Sequence, residues 1–169
     1  METTIFGPPG TGKTTRLIEI VQQELENGTL PEHIAFVSFS RKAAEEARER
    51  AAAKLNMDVD QMVWFRTLHS FAFQYMGLTA KQVLIGKDFT KIGKLLGLEF
   101  SSNSSVTMAD GLLFTPGKSD YKKETGKIDF VDMIEDFIEQ GDSPLLDVLI
   151  VDEAQDLVPL QWRMVHEVM

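Results

Sequence analysis

Eight residues near the amino terminus, Gly7-Pro8-Pro9-Gly10-Thr11-Gly12-Lys13-Thr14, have the types and spacing needed to cradle phosphate. Glycines let a chain curl until successive N–H groups point inward, and a following helix aims its positive dipole end at the same spot. In such a loop Lys13 reaches the β- and γ-phosphates and Thr14 offers its hydroxyl to Mg²⁺. The expected nucleotide contacts are therefore Gly7, Pro8, Pro9, Gly10, Thr11, Gly12, Lys13, Thr14 and Thr15. A second constellation lies far along the chain. Leu149-Ile150-Val151-Asp152-Glu153 is an aliphatic run that ends in two carboxylates. Asp152 is a hard oxygen ligand suited to Mg²⁺, and Glu153 is placed to polarise an attacking water. Lys13, Asp152 and Glu153 form the expected catalytic set, with Thr14 and Asp152 as metal ligands and ATP with Mg²⁺ as the cofactors.

These residues need a scaffold that brings the two ends of the chain together. Thr3 to Phe6 reads as a short strand before the glycine-rich turn, and Gly12 to Glu26 as a helix with Leu17, Ile18, Val21 and Leu25 on one face. Ile34 to Phe39 is almost wholly apolar, as expected of a strand covered on both sides. Arg41 to Leu55 is rich in Ala, Glu and Arg and predicts a helix. Met62 to Phe65 predicts a strand and Leu68 to Tyr75 a short helix. Lys81 to Leu98 has helical pieces interrupted by glycines, Ser101 to Ser105 is a loop, and Thr115 to Gly126 reads as a polar, mobile stretch. Ile128 to Ile138 returns to helical spacing with Phe130, Ile134, Phe137 and Ile138 inward. Asp147 to Val151 is a strand and Leu157 to Met169 a helix with Pro159 in its first turn. Trp64 and Trp162 are assigned to the core. The alternation predicts an α/β domain with a parallel sheet flanked by helices. The rhythm breaks in the middle, so residues 1–72 and 127–169 are expected to form the core and 73–126 a mostly helical insertion.

Composition bounds the rest. The chain has 169 residues, enough for one domain with a real core. It has no cysteine, which excludes disulfide, cysteine–zinc and thiol redox chemistry and is compatible with a reducing cytoplasm. No apolar run is long enough to span a membrane. The net charge of −9 argues against tight non-specific binding to nucleic acid. The acids cluster between residues 129 and 156, however, whereas Arg41 to Arg66 carries most of the useful positive charge.

Four stretches, in order, resemble superfamily 1 helicases of the UvrD/Rep type. They are the phosphate loop; Val37-Ser38-Phe39-Ser40-Arg41-Lys42-Ala43-Ala44; Arg66-Thr67-Leu68-His69-Ser70-Phe71; and Val151-Asp152-Glu153-Ala154-Gln155-Asp156 followed by Gln161. Ile128 to Ile134 also looks like the stretch that precedes the family's acidic motif. The resemblance implies a RecA-like P-loop domain, a motor that hydrolyses ATP and contacts single-stranded DNA. Carried onto matching positions, it implies that Phe39 stacks on a base, and that Ser38, Ser40, Arg41, Lys42, Thr67, His69 and Ser70 approach DNA. Gln155 would join the nucleotide site to its neighbours. Three departures are visible. Only six residues precede Gly7, where the family's adenine-reading glutamine lies upstream. Thr15 separates the lysine–threonine pair from Arg16. The later motifs do not follow the acidic one, so a second motor domain, in the same or another chain, is expected to supply them. Two other readings use the same loop: a different P-loop enzyme such as a kinase, and a non-hydrolysing helicase-like binding domain.

Overall fold

The computed structural model describes residues 3–8, 10–97 and 108–169. Three strands, β1 (Ile34–Ser38), β2 (Trp64–Arg66) and β3 (Val148–Asp152), form a parallel sheet in the order β2-β1-β3. Parallel neighbours need crossovers, and the helices between them supply these. Helix α2 (Arg41–Leu55) lies between β1 and β2, and α3 (Leu68–Tyr75), α4 (Gly86–Leu95), α5 (Met108–Thr125) and α6 (Phe130–Gln140) lie between β2 and β3, while α1 (Lys13–Glu26) precedes β1 and α7 (Pro159–Val168) follows β3. The expected α/β fold with a parallel sheet flanked by helices is what the chain adopts.

The central strand β1 is buried along its whole length, which explains its unbroken apolar character. Its side chains alternate between two cores. Ile34 and Phe36 join Ile18 and Val21 of α1, Ala47 and Ala51 of α2, and Ile150 of β3. Ala35 and Val37 join Phe71 of α3, Ile134 and Phe137 of α6, and Met164 and Val165 of α7. Phe36 stacks on Phe65 with ring centroids 5.4 Å apart. The register pairs Val37 with Arg66 and Ser38 with Asp152. All three strands therefore finish level at one edge of the sheet. Each parallel strand then hands the chain to a loop on that edge.

Four expectations differ from the structure. Thr3 to Phe6 carries no sheet pairing, and Phe6 is 90% exposed. Its apolar pattern is real, but no described strand offers it a partner, and the outer edge of β3 is likewise unpaired among the described residues. Thr115 to Gly126 is not a loop: most of it is the second half of α5, despite Pro116. Tertiary ties outweigh its weak propensity. Tyr121 donates to Asp88 at 3.0 Å, Lys118 meets Asp129 at 2.8 Å, and Gly117 packs so tightly on Leu96 that a Cβ there would lie 2.6 Å from a methyl carbon. Phe130, the first residue of α6, is half-exposed rather than buried. Trp162, expected in the core, is partly exposed and lies against His166. The expected Ser101–Ser105 loop lies outside the described residues.

Candidate nucleotide and nucleic-acid site

The phosphate loop sits where the chain enters α1. Gly10 and Gly12 have φ of 79° and 81°, in the left-handed region where a side chain would be strained. A Cβ at Gly7 would lie 2.6 Å from the Thr11 hydroxyl, which itself donates to Pro8 O at 2.8 Å, so a larger residue there would have to displace that hydroxyl. Pro9 lies outside the described residues. Helix α1 starts without a side-chain cap and without an acid in its first turn. Its first N–H groups therefore have no side-chain cap among the described residues, and the dipole end is open, which suits an anion. Lys13 is folded back over the loop, donating to Gly7 O at 2.9 Å and Pro8 O at 3.3 Å. Its ammonium is thus held at the mouth of the loop by weak neutral acceptors that a phosphate oxygen can replace.

Across from the loop, β3 delivers its acids. The Thr14 hydroxyl donates to Asp152 Oδ2 at 3.2 Å, although 138 positions separate the two residues. A hydroxyl and a carboxylate oxygen side by side are hard donors that fit Mg²⁺. Asp152 is 4% exposed, and burial pushes its carboxyl above the ordinary value; the Thr14 bond opposes this, while the Glu153 charge adds to it. A buried acid lacking a full counter-charge is suited to receive a cation. Glu153 has left-handed backbone, φ 53° and ψ 42°. Such a conformation costs a non-glycine residue of order 1–3 kcal/mol and is found most often at functional positions. The turn swings the Glu153 carboxylate off the strand direction, where the Gln155 amide donates to it. Gln155 was expected at the nucleotide; here its contact is with the acid beside it.

The nucleic-acid candidates follow β1 and β2 on the same edge. Phe39 is 54% exposed, and Arg41 and Lys42 are exposed at the start of α2. Arg41 pairs with Glu45 at 3.0 Å, whereas Lys42 makes no ion pair among the described residues. Ser40 caps α2 by accepting from Ala43 N, and Thr67 caps α3 by accepting from Ser70 N. Both hydroxyls therefore have local structural work. Ser70 Oγ accepts from Arg66 at 3.4 Å. Burial holds the His69 imidazole below its ordinary value, so it is neutral at physiological pH. Ser38, expected to approach DNA, is 2% exposed, so its side chain is not offered at the surface. Phe130, by contrast, was not among the candidates. It is half-exposed and meets His69 edge-on at 5.3 Å.

Fold and site together define a P-loop domain whose phosphate loop and acidic strand meet. The chain belongs to the UvrD/REP helicase N-terminal domain family, which matches residues 1–107. It is similar to a protein of Leuconostoc citreum described as "ATP-dependent DNA helicase PcrA", at 33% identity over 89 residues. That stretch covers 52% of this chain and 12% of the relative, so the chain spans a small part of the relative's length.

Proposed function

We propose that this chain is the ATP-binding motor subdomain of a DNA helicase or translocase, hydrolysing ATP with Mg²⁺ while gripping single-stranded DNA. The observation that carries the reading is the Thr14–Asp152 contact, which joins the phosphate loop to the acidic strand on the edge that also presents Phe39, Arg41 and Lys42. In this reading residues 1–72 and 127–169 form the RecA-like core and 73–126 an insertion. The α1 N–H groups and Lys13 bind the phosphates. Thr14 and Asp152 hold Mg²⁺, which when bound supplies charge neutralisation at the phosphates. Glu153 takes the proton of the attacking water, and Gln155 holds the Glu153 carboxylate in place. Phe39 stacks on a base while Arg41 and Lys42 neutralise phosphates.

The relative's name speaks for ATP and DNA over a kinase's small acceptor. Unwinding requires a second RecA-like domain, in the same or another chain, to bring arginine fingers worth about 10³–10⁵ in rate. The outer edge of β3, unpaired among the described residues, with Thr3 to Phe6 unpaired there as well, fits a domain completed by a further strand. The test is the ATPase rate of the 169-residue protein with and without single-stranded DNA, beside a strand-displacement assay. Nucleotide binding, slow turnover and no displacement are expected. Phosphorylation of a small acceptor with indifference to DNA would establish the kinase reading instead. Robust ATP-dependent unwinding by this material would overturn the need for a second domain.

A further inference from the structure

Ser38 and Asp152 end neighbouring parallel strands and are register partners. Side chains alternate along a strand, and paired residues of parallel strands point to the same face. On β1, Ile34 and Phe36 face the α1–α2 core; on β3, Val148 and Ile150 do the same. Two residues further on, Ser38 and Asp152 therefore extend that face side by side, at the level where Thr14 of α1 reaches Asp152. Ser38 is 2% exposed, and its hydroxyl oxygen has no hydrogen-bond partner among the described residues. The other hydroxyls of the two motifs, Ser40, Thr67 and Ser70, are all bonded. A buried hydroxyl without a partner is costly, and one beside a carboxylate fitted to a cation has an obvious use.

We propose that Ser38 is a positioning residue of the metal–nucleotide site, its hydroxyl serving as a hydrogen-bond partner in the hydrated shell of the divalent cation held by Thr14 and Asp152. This rests on the metal–nucleotide reading above. It moves Ser38 from the nucleic-acid face to the nucleotide face. The next residue, Phe39, lies just beyond the end of β1 and is 54% exposed. One peptide unit thus joins a side chain that meets the cation to a side chain offered to a base.

The test is titration of a fluorescent, non-hydrolysable ATP analogue into the full chain, once in EDTA and once in Mg²⁺. Wild type, Ser38→Ala, Ser38→Thr and Asp152→Asn are compared, each with a melting curve in the absence of ligand. In Ser38→Ala the affinity in EDTA stays within twofold of wild type. The tightening produced by Mg²⁺ falls by about three- to tenfold, the worth of one hydrogen bond. Ser38→Thr keeps the hydroxyl and restores it. The ligand-free melting temperature of Ser38→Ala is unchanged or raised, because the hydroxyl removed had no partner. Mg²⁺ tightening that survives in Ser38→Ala but vanishes in Asp152→Asn overturns the inference and leaves the metal site standing. Absence of tightening in wild type overturns both. Equal loss in the Ala and Thr variants, or a lower melting temperature with weaker EDTA affinity in Ser38→Ala, assigns Ser38 a packing role and overturns the inference.

Discussion

The carboxyl edge of the sheet and the α4–α5 region treat their polar groups in opposite ways. Around α4 and α5 every described buried charge is saturated. Asp88, 1% exposed, accepts from Lys127 at 2.8 and 2.9 Å, from Tyr121 at 3.0 Å and from Ile85 N at 3.0 Å. Asp129 accepts from Val131 N and Asp132 N and pairs with Lys118 and Lys122. At the sheet edge the same inventory is left open. Helix α1 has no cap, Lys13 rests on loop carbonyls, Glu153 sits in a strained conformation, and Ser38 has a buried hydroxyl with no described partner. The one other described buried side-chain atom without a partner is Arg48 Nε on α2. A saturated cluster stabilises a fold; an unsaturated one is available for a ligand.

That contrast can be broken first at Glu153. Glu153→Gln keeps the shape and loses the base, so turnover should fall by about 10²–10⁴ while nucleotide affinity and melting temperature stay near wild type. Steady-state ATPase beside an equilibrium titration checks this in any turnover-competent assembly. A rate within about twofold of wild type would remove Glu153 from the role. Lys13→Ala should instead weaken ATP far more than adenosine, by calorimetry, again with little change in stability.

The opposite signature is expected at Asp88. Asp88→Ala strands Lys127 in a mostly buried position and should destabilise by about 3 kcal/mol, with nucleotide affinity altered only through folding. Chemical denaturation measures it. If Asp88→Ala cost under about 1 kcal/mol, the cluster would not be the structural anchor described.

Acid should act on the same anchor. The Lys127 bond, with help from Ile85 N and Tyr121 and against the effect of burial, holds Asp88 at about 2, below an ordinary aspartate. A carboxyl depressed on folding contributes stability that is complete above its unfolded value, about 4, and lost as pH falls through its folded one. The wild-type denaturation midpoint should therefore drop between about pH 4 and pH 2. Asp88→Asn should flatten the part of that slope which Asp88 contributes, leaving the share of Asp129, also held at about 2. An unchanged slope in Asp88→Asn would show that the acid sensitivity lies elsewhere.

The smallest effects belong to the exposed cations. Arg41→Ala and Lys42→Ala should leave the fold intact and each weaken single-stranded DNA. For every phosphate no longer neutralised, the salt slope should become shallower by about 0.7. Fluorescence anisotropy over a series of salt concentrations reads both. Unchanged affinity and slope in the double variant would move the DNA path away from α2.

The sequence by itself determined the glycine-rich turn before α1, the acidic strand end and the elements whose period is unambiguous. Arg41–Leu55 and Leu68–Tyr75 are helices at the boundaries their patterns predict, because alanine-rich spacing and a Ser or Thr cap are local properties. Glycine in the left-handed turns at Gly10 and Gly12 was legible for the same reason. Only the tertiary structure decided what depends on neighbours distant in sequence. Whether Thr3 to Phe6 pairs is set by the strands available to it, not by its own apolar pattern. Residues 115–125 are helical because Asp88, Asp129 and Leu96 hold them. Ser38 and Phe39 looked alike as members of one motif, yet β1 ends at Ser38, buried and paired in register with Asp152, and Phe39 just beyond it is exposed. Which face is which follows from the two helical layers packed on β1, and that packing is not written in any stretch of eight residues.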